Sequence, residues 1–193
     1  MLAGLTAGKD LHLALKINYY YFNRKTSLVN IIKNDYNEFM LSKIHKQLLK
    51  QGKTIAVAES CTGGLLCSQL SNNPGASGYF LLGIIAYSNK SKEKILKIPA
   101  RIIAKYGAVS RQVAILMAKN IRKISKVDFG IGITGIAGPS GSTKNKPVGT
   151  IFICLSAGNK IICQEFSFRG NRQNIRKKST QEALRLLCVH LSP

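Results

Sequence analysis

A chain of 193 residues with 45% hydrophobic and 19% charged side chains is long enough for one domain with a sizeable core and too apolar for a disordered segment. Its apolar runs near residues 79–86 and 148–155 are too short to span a bilayer, and the start of the chain lacks the basic-then-apolar pattern of a secretory signal, so a cytoplasmic protein with no membrane partner is expected. The net charge of +21 invites a nucleic-acid reading, but the cations are spread along the chain with no RNP-like aromatic signature and no zinc-finger spacing; a phosphate-bearing small substrate suits the same surface, and nucleic acid is the less expected partner.

Residues 1–39 hold a Tyr19-Tyr20-Tyr21 cluster and no clear period. They are expected to form a poorly packed extension, or to reflect an upstream start codon, with the domain running over 40–193. From Leu41 the elements alternate. Leu41, Ile44, Leu48 and Leu49 share one helical face, and Gly52 ends that helix. Thr54 to Ala58 reads as a buried strand, followed by a Gly-containing turn and a helix through Leu65, Leu66 and Leu70, which Asn72-Asn73-Pro74-Gly75 breaks. A second strand over 79–87 leads to a short helix over 91–98. Ser110 is placed to cap a helix that continues through Met117 to Ile124. A third strand over 129–133, a hairpin over 148–155 and 161–168, and a last helix from Arg172 to Leu191 complete the pattern. Strands alternating with helices predict an α/β fold, a three-layer sandwich with a mixed sheet flanked by helices.

The chemistry is narrowed by what is scarce. The five cysteines contain no CxxC pair and the three histidines no HxxxH, a spacing that supplies neither a zinc site nor a disulfide scaffold; most of the cysteines read as core thiols. After residue 39 the carboxylates are Glu59, Glu93, Asp128, Glu165 and Glu182, and the histidines are His45 and His190. A Ser-His-Asp triad or a carboxylate pair would be assembled from very little, whereas a lysine base is easy to supply.

Three motifs could carry a site. In Ala58-Glu59-Ser60-Cys61-Thr62-Gly63-Gly64 a hydroxyl sits between a strand and a helix, near first-turn N–H groups that favour negative charge, and Gly63 and Gly64 let backbone approach a substrate. Taken alone it reads equally as a capped helix with a Gly-rich start, and Glu59 as an orienter of the loop or half of a buried ion pair. In Gly83-Ile84-Ile85-Ala86-Tyr87-Ser88-Asn89-Lys90-Ser91-Lys92 a strand runs into polar groups suited to a cleft. A lysine held in a dry, electropositive place loses proton affinity, so Lys92 can take a proton from Ser60; the bland alternative is a solvated lysine face with Lys90, Lys94 and Lys97. The third motif, Thr134-Gly135-Ile136-Ala137-Gly138-Pro139, suits backbone contact to a phosphate or ribose, or is a surface turn. The GxGxxG match at Gly130–Gly135 is discounted, because its first glycines fall inside a strand. Arg169, Arg172 and Arg176 cluster at the start of the last helix, where an arginine can grip a phosphate or simply lie exposed.

Together these motifs resemble the CinA C-terminal domain family, the nicotinamide-nucleotide amidohydrolases. The matching pieces, in the family's order, are AESCTGG at 58–64, AYSNKSK at 86–92, YGAVS at 106–110, TGIAGPSG at 134–141, KPVGT at 146–150 and FRGNRQNIR at 168–176. The resemblance implies a metal-independent enzyme without a cofactor that deamidates nicotinamide mononucleotide to nicotinate mononucleotide and ammonia. It implies Ser60 as nucleophile, Lys92 as its base, and Tyr87 and Thr134 as assisting residues. Substrate contacts are expected from Thr62, Gly63, Gly64, Asn89, Gly135, Ala137, Gly138 and Arg169, and the assembly is expected to be a homo-oligomer. Two departures stand out. Residues 1–39 are too short for the second N-terminal domain that many relatives carry, so the stand-alone form is expected. The loop after Pro139 also lacks the acidic or glycine residue usual there. The rival readings are a non-catalytic nucleotide- or nucleic-acid-binding module, and an enzyme with Cys61 as nucleophile.

Overall fold

The computed structural model describes residues 28–191, with side chains from residue 37 onward. The chain divides into two units, 1–39 and 40–193, and the fold below is that of the second. The expectation of a poorly packed extension lies for the most part outside the described residues. Residues 28–39 are helical, so helix α1 (Leu28–Gln51) begins well before Leu41.

Within the second unit α1 buries Met40, Ile44 and Leu48, which recur every four residues and so form one stripe. Leu49, expected on that face, is exposed. The helix closes in a Schellman turn: Lys53 N–H donates to Leu48 O at 3.0 Å and Gly52 N–H to Leu49 O at 3.2 Å. Strand β1 (Ile55–Glu59) follows, buried along its whole length. Then come α2 (Leu65–Leu70), β2 (Phe80–Ile85), α3 (Asn89–Lys94), α4 (Ala100–Tyr106) and α5 (Arg111–Ser125). Strands β3 (Phe129–Gly135), β4 (Thr150–Ala157) and β5 (Lys160–Ser167) precede the last helix, α6 (Arg172–Leu191). Ser110 caps α5 as its sequence suggests, its Oγ accepting from Val113 N–H at 3.3 Å. Helix α4 has no such side-chain cap; its sequence marks are Pro99 before it and Gly107, at φ 80°, after it.

The strand order is β2-β1-β3-β4-β5. β1 runs parallel to β2 and β3, whereas β4 is antiparallel to both β3 and β5. The sheet is therefore mixed, and the three-layer α/β sandwich read from the alternation holds. The pleat sends alternate side chains to opposite layers. Ile55 and Val57 pack with residues of α1, α2 and α6; Ala56 and Ala58 pack with residues of α4 and α5.

On the α5 side the strands carry small residues because the helix comes close. A Cβ at Gly132 would lie 2.5 Å from Ala114 O and Ala118 N, and one at Gly130 would meet Ala118 O and Arg122 Cβ. The GxGxxG match thus records helix-on-strand packing. One expectation needs correction. The spacing of the five cysteines, most of them read as core thiols, argued against disulfides, yet Cys154 and Cys163 face each other across β4 and β5 and are joined as one. Their separation along the chain follows from hairpin register rather than from a short Cys motif, which is why spacing rules passed over it.

Candidate active site

β1 pairs with β2 on one side and with β3 on the other, so the chain leaves the ends of these strands in different directions and opens a crevice there. Open α/β sheets bind ligands at such switch points, outside the carboxyl ends of the strands. A cavity of about 290 Å³ lies at that place. Its walls come from the residues after β1 (Ser60, Cys61), the residues after β2 (Tyr87, Asn89, Lys92), the turn before α5 (Ala108, Val109), the loop from the end of β3 (Thr134 to Gly138, Ser140, Gly141) and Arg172 of α6.

Two local devices fix the reacting groups. The first holds the turn carrying Ser60. Gly63 and Gly64 adopt φ of 60° and 95°, a left-handed path that glycine follows without a Cβ penalty, and Gly63 N–H closes the turn on Ser60 O at 3.1 Å. Beneath it Glu59, fully buried, accepts from Gly64 N–H at 2.9 Å and Cys67 N–H at 2.8 Å, satisfying donors at the start of α2 with its two carboxyl oxygens. Above it Arg176 donates from Nε and Nη2 to Thr62 O at 3.1 and 2.7 Å.

The second device sets Lys92. Ser88 and Ser91 form a reciprocal capping box at the start of α3, with Ser91 N–H donating to Ser88 Oγ and Ser88 N–H to Ser91 Oγ, both at 3.0 Å. That start turns Lys92 inward, where only 1% of it stays exposed. Its Nζ donates to Ser60 Oγ at 3.1 Å, Ala86 O at 2.7 Å and Tyr87 O at 3.4 Å.

These partners are a hydroxyl and two neutral carbonyls, and no carboxylate lines the cavity. Burial therefore lowers the pKa of the Lys92 ammonium below the ordinary lysine value, against a smaller opposing influence from Cys61. The same burial pushes the Cys61 thiol up to about 12. A thiol so placed stays protonated near neutrality, which removes the advantage of Cys61 over Ser60 as a nucleophile.

The remaining expected residues separate into two groups. Thr134 is buried, lines the cavity and donates from Oγ1 to Ala108 O at 2.9 Å. Tyr87, Asn89, Gly135, Ala137 and Gly138 line it as well. Thr62, Gly63, Gly64 and Arg169 are not among the lining residues. The first three shape the turn under Ser60, and Thr62 Oγ1 is buried without a partner; Arg169 is exposed, its carbonyl accepting from Lys178 Nζ at 2.8 Å. The cation that does reach the cavity is Arg172, which donates to Gly138 O at 2.7 Å and to Tyr87 Oη at 2.9 Å. Arg169 precedes α6, whereas Arg172 and Arg176 lie four apart on one face of it, and of these two the cavity takes Arg172.

The site has relatives. A family model for the CinA C-terminal domain matches residues 37–191. A CinA-like protein of Syntrophomonas wolfei is 45% identical over 162 residues, 84% of this chain and 39% of that protein. A putative competence-damage inducible protein of Moorella thermoacetica is 48% identical over 134 residues, 69% of this chain and 32% of its own length. The chain thus spans between about a third and two fifths of these two relatives. Among solved structures, the competence/damage inducible protein CihA of Agrobacterium tumefaciens superposes with a TM-score of 0.78 at 32% identity, covering 81% of this chain and 96% of that one. A CinA superfamily protein of Klebsiella pneumoniae gives 0.78 at 26% identity over 81% and 98%. With its strand order, its Ser60 turn and nearly all of its second unit inside that match, the chain belongs to the CinA C-terminal domain family.

Proposed function

We propose that the chain is a Ser/Lys amidohydrolase that deamidates nicotinamide mononucleotide to nicotinate mononucleotide and ammonia. The observation that carries the reading is the buried Lys92 amine 3.1 Å from Ser60 Oγ. A neutral amine has two N–H groups and one lone pair. With the N–H groups given to Ala86 O and Tyr87 O, the lone pair is left facing the Ser60 hydroxyl, the arrangement a general base needs. Ser60 Oγ then attacks the carboxamide carbon while its proton passes to Lys92. Lys92 hands that proton to the amide nitrogen, the C–N bond breaks and ammonia leaves. Water attacks the resulting ester, giving one proton to Lys92; Ser60 Oγ departs with that proton, and the carboxylic acid product loses its own proton to the released ammonia, giving carboxylate and ammonium.

The cavity wall supports a phosphate-bearing substrate. Its one guanidinium is Arg172 and it carries no carboxylate; Arg172 is held in place through Gly138 O and Tyr87 Oη, leaving guanidinium edge for a phosphate. In this reading Arg172 takes the anion-binding part first expected of Arg169, Asn89 and the 135–138 backbone flank the nucleotide, and Tyr87 and Thr134 orient the reacting groups. Among the described residues no helix is long and apolar enough to cross a membrane.

The test is ammonia release from nicotinamide mononucleotide by the purified chain with EDTA present, beside Ser60→Ala and Lys92→Ala. Release that persists in EDTA and disappears in both variants is the expected result. A folded wild-type chain that releases none, or a Ser60→Ala variant that keeps full activity, overturns the proposal.

A further inference from the structure

A second cavity, of about 610 Å³, lies at the other end of the sheet. Its walls are the last two turns of α5, the Lys126-Val127 link into β3, and the β4–β5 turn at Gly158-Asn159. The Ser60 site sits beyond one end of β3 and this cavity beside its other end, so the seven residues of that strand hold the two about 20 Å apart.

The cavity gathers Lys119, Arg122, Lys123 and Lys126. Lys119, Arg122 and Lys123 are spaced i, i+3 and i+4 on one face of α5, and Lys126, the left-handed residue just past its end, adds a fourth cation to the same wall. Among the described residues the ion pairs are Lys53–Asp128 and Arg185–Glu182, so no carboxylate neutralises this face. The nearest acid in sequence, Asp128, is taken by Lys53 Nζ at 2.8 Å and by the N–H and hydroxyl of Thr54 at 2.9 and 3.0 Å. Arg122 is anchored through two neutral acceptors, Asp128 O at 2.9 Å and Gly158 O at 2.6 Å, which fixes its guanidinium and leaves its charge uncompensated.

Cations near the C-terminus of a helix offset the partial charge of its last carbonyls. One or two suffice for that. Four converging on one concavity repel each other, and an anion between them turns that repulsion into attraction. No aromatic side chain lines the cavity, so there is no platform on which a base could stack. From this geometry we infer that the Lys119–Lys126 face is a second anion site, which holds a run of adjacent phosphate groups through their oxygens without reading a base. The site is independent of the amidohydrolase reading and stands or falls separately.

The phosphate run has two possible sources, a free polyphosphate or the backbone of a single-stranded nucleic acid, and titration calorimetry of the full chain with sodium tripolyphosphate and with an oligothymidylate distinguishes them. The variant Lys119→Gln/Lys123→Gln/Lys126→Gln is compared with Lys46→Gln/Lys50→Gln/Lys105→Gln, which removes the same charge from other exposed lysines; thermal unfolding checks that both fold. The expected result is binding of at least one ligand that weakens about tenfold or more in the first variant only, with ammonia release from nicotinamide mononucleotide unchanged. If tripolyphosphate shows this loss the source is free polyphosphate, and if only the oligonucleotide shows it the source is a nucleic-acid backbone. Binding of neither ligand, or equal weakening in both variants, overturns the inference.

Discussion

Lys92 is an amine kept from water whose acceptors are two carbonyls and a hydroxyl, and its chemistry follows from that poverty of anions. Because burial lowers its pKa, the rate should rise with pH through the depressed Lys92 value and level off once the amine is neutral; a pH–rate profile of ammonia release checks this. The same shift links stability to pH. Between the depressed value and the ordinary lysine value of 10.5, the unfolded chain holds a Lys92 proton that the folded chain lacks, so the Lys92 contribution to stability rises with pH across that window and is lost toward its lower end, opposed above 9.0 by the raised Cys61 thiol. Lys92→Met should remove this slope, as read by denaturant unfolding at a series of pH values. Cys61→Ala should keep most of the activity that Ser60→Ala abolishes, since a thiol pushed up to about 12 supplies almost no thiolate at neutral pH. That Ser60 and Lys92 meet was legible in the sequence because each belongs to a motif whose polar residues follow a strand. Arg172 was not singled out, since one arginine among three gives no sign of which way it points until the helix register is known.

At the scale of elements, the Ser60 turn is held by groups that do not line the cavity. Glu59 ties it to the first turn of α2 and Arg176 ties it to α6. Arg176→Met should therefore leave α6 packed while loosening the turn, lowering kcat more than it raises KM in steady-state kinetics of ammonia release. The contact of α5 with β3 is tighter still. Gly132→Ala should destabilise the chain by about 1–3 kcal/mol, measured by chemical denaturation, because its Cβ would lie 2.5 Å from backbone atoms of α5. Periodicity revealed most of these elements, since buried strands and capped helices leave plain patterns. It missed α4, which lacks a side-chain cap, and the Cys154–Cys163 bond, which depends on hairpin register. It also let Gly130 and Gly132 mimic a nucleotide fingerprint, because close helix packing and close ligand approach select the same residue.

For the whole molecule, the surplus of 29 Lys and Arg over 8 Asp and Glu looked evenly spread in the sequence, yet folding gathers part of it at opposite ends of one sheet, at Arg172 and at the α5 stripe. If the Ser60 cavity draws its substrate by charge, KM for nicotinamide mononucleotide should rise with salt, and the dependence should weaken in Arg172→Gln; kinetics at graded ionic strength decide this. The order in which the pieces are made adds a further consequence. Tyr87 and the 135–138 loop meet Arg172, and the Ser60 turn meets Arg176, both on the twenty-residue α6, which is made after every strand of the sheet. A nascent chain can therefore lay down its whole sheet and still lack the clasp over both loops, which comes only with α6.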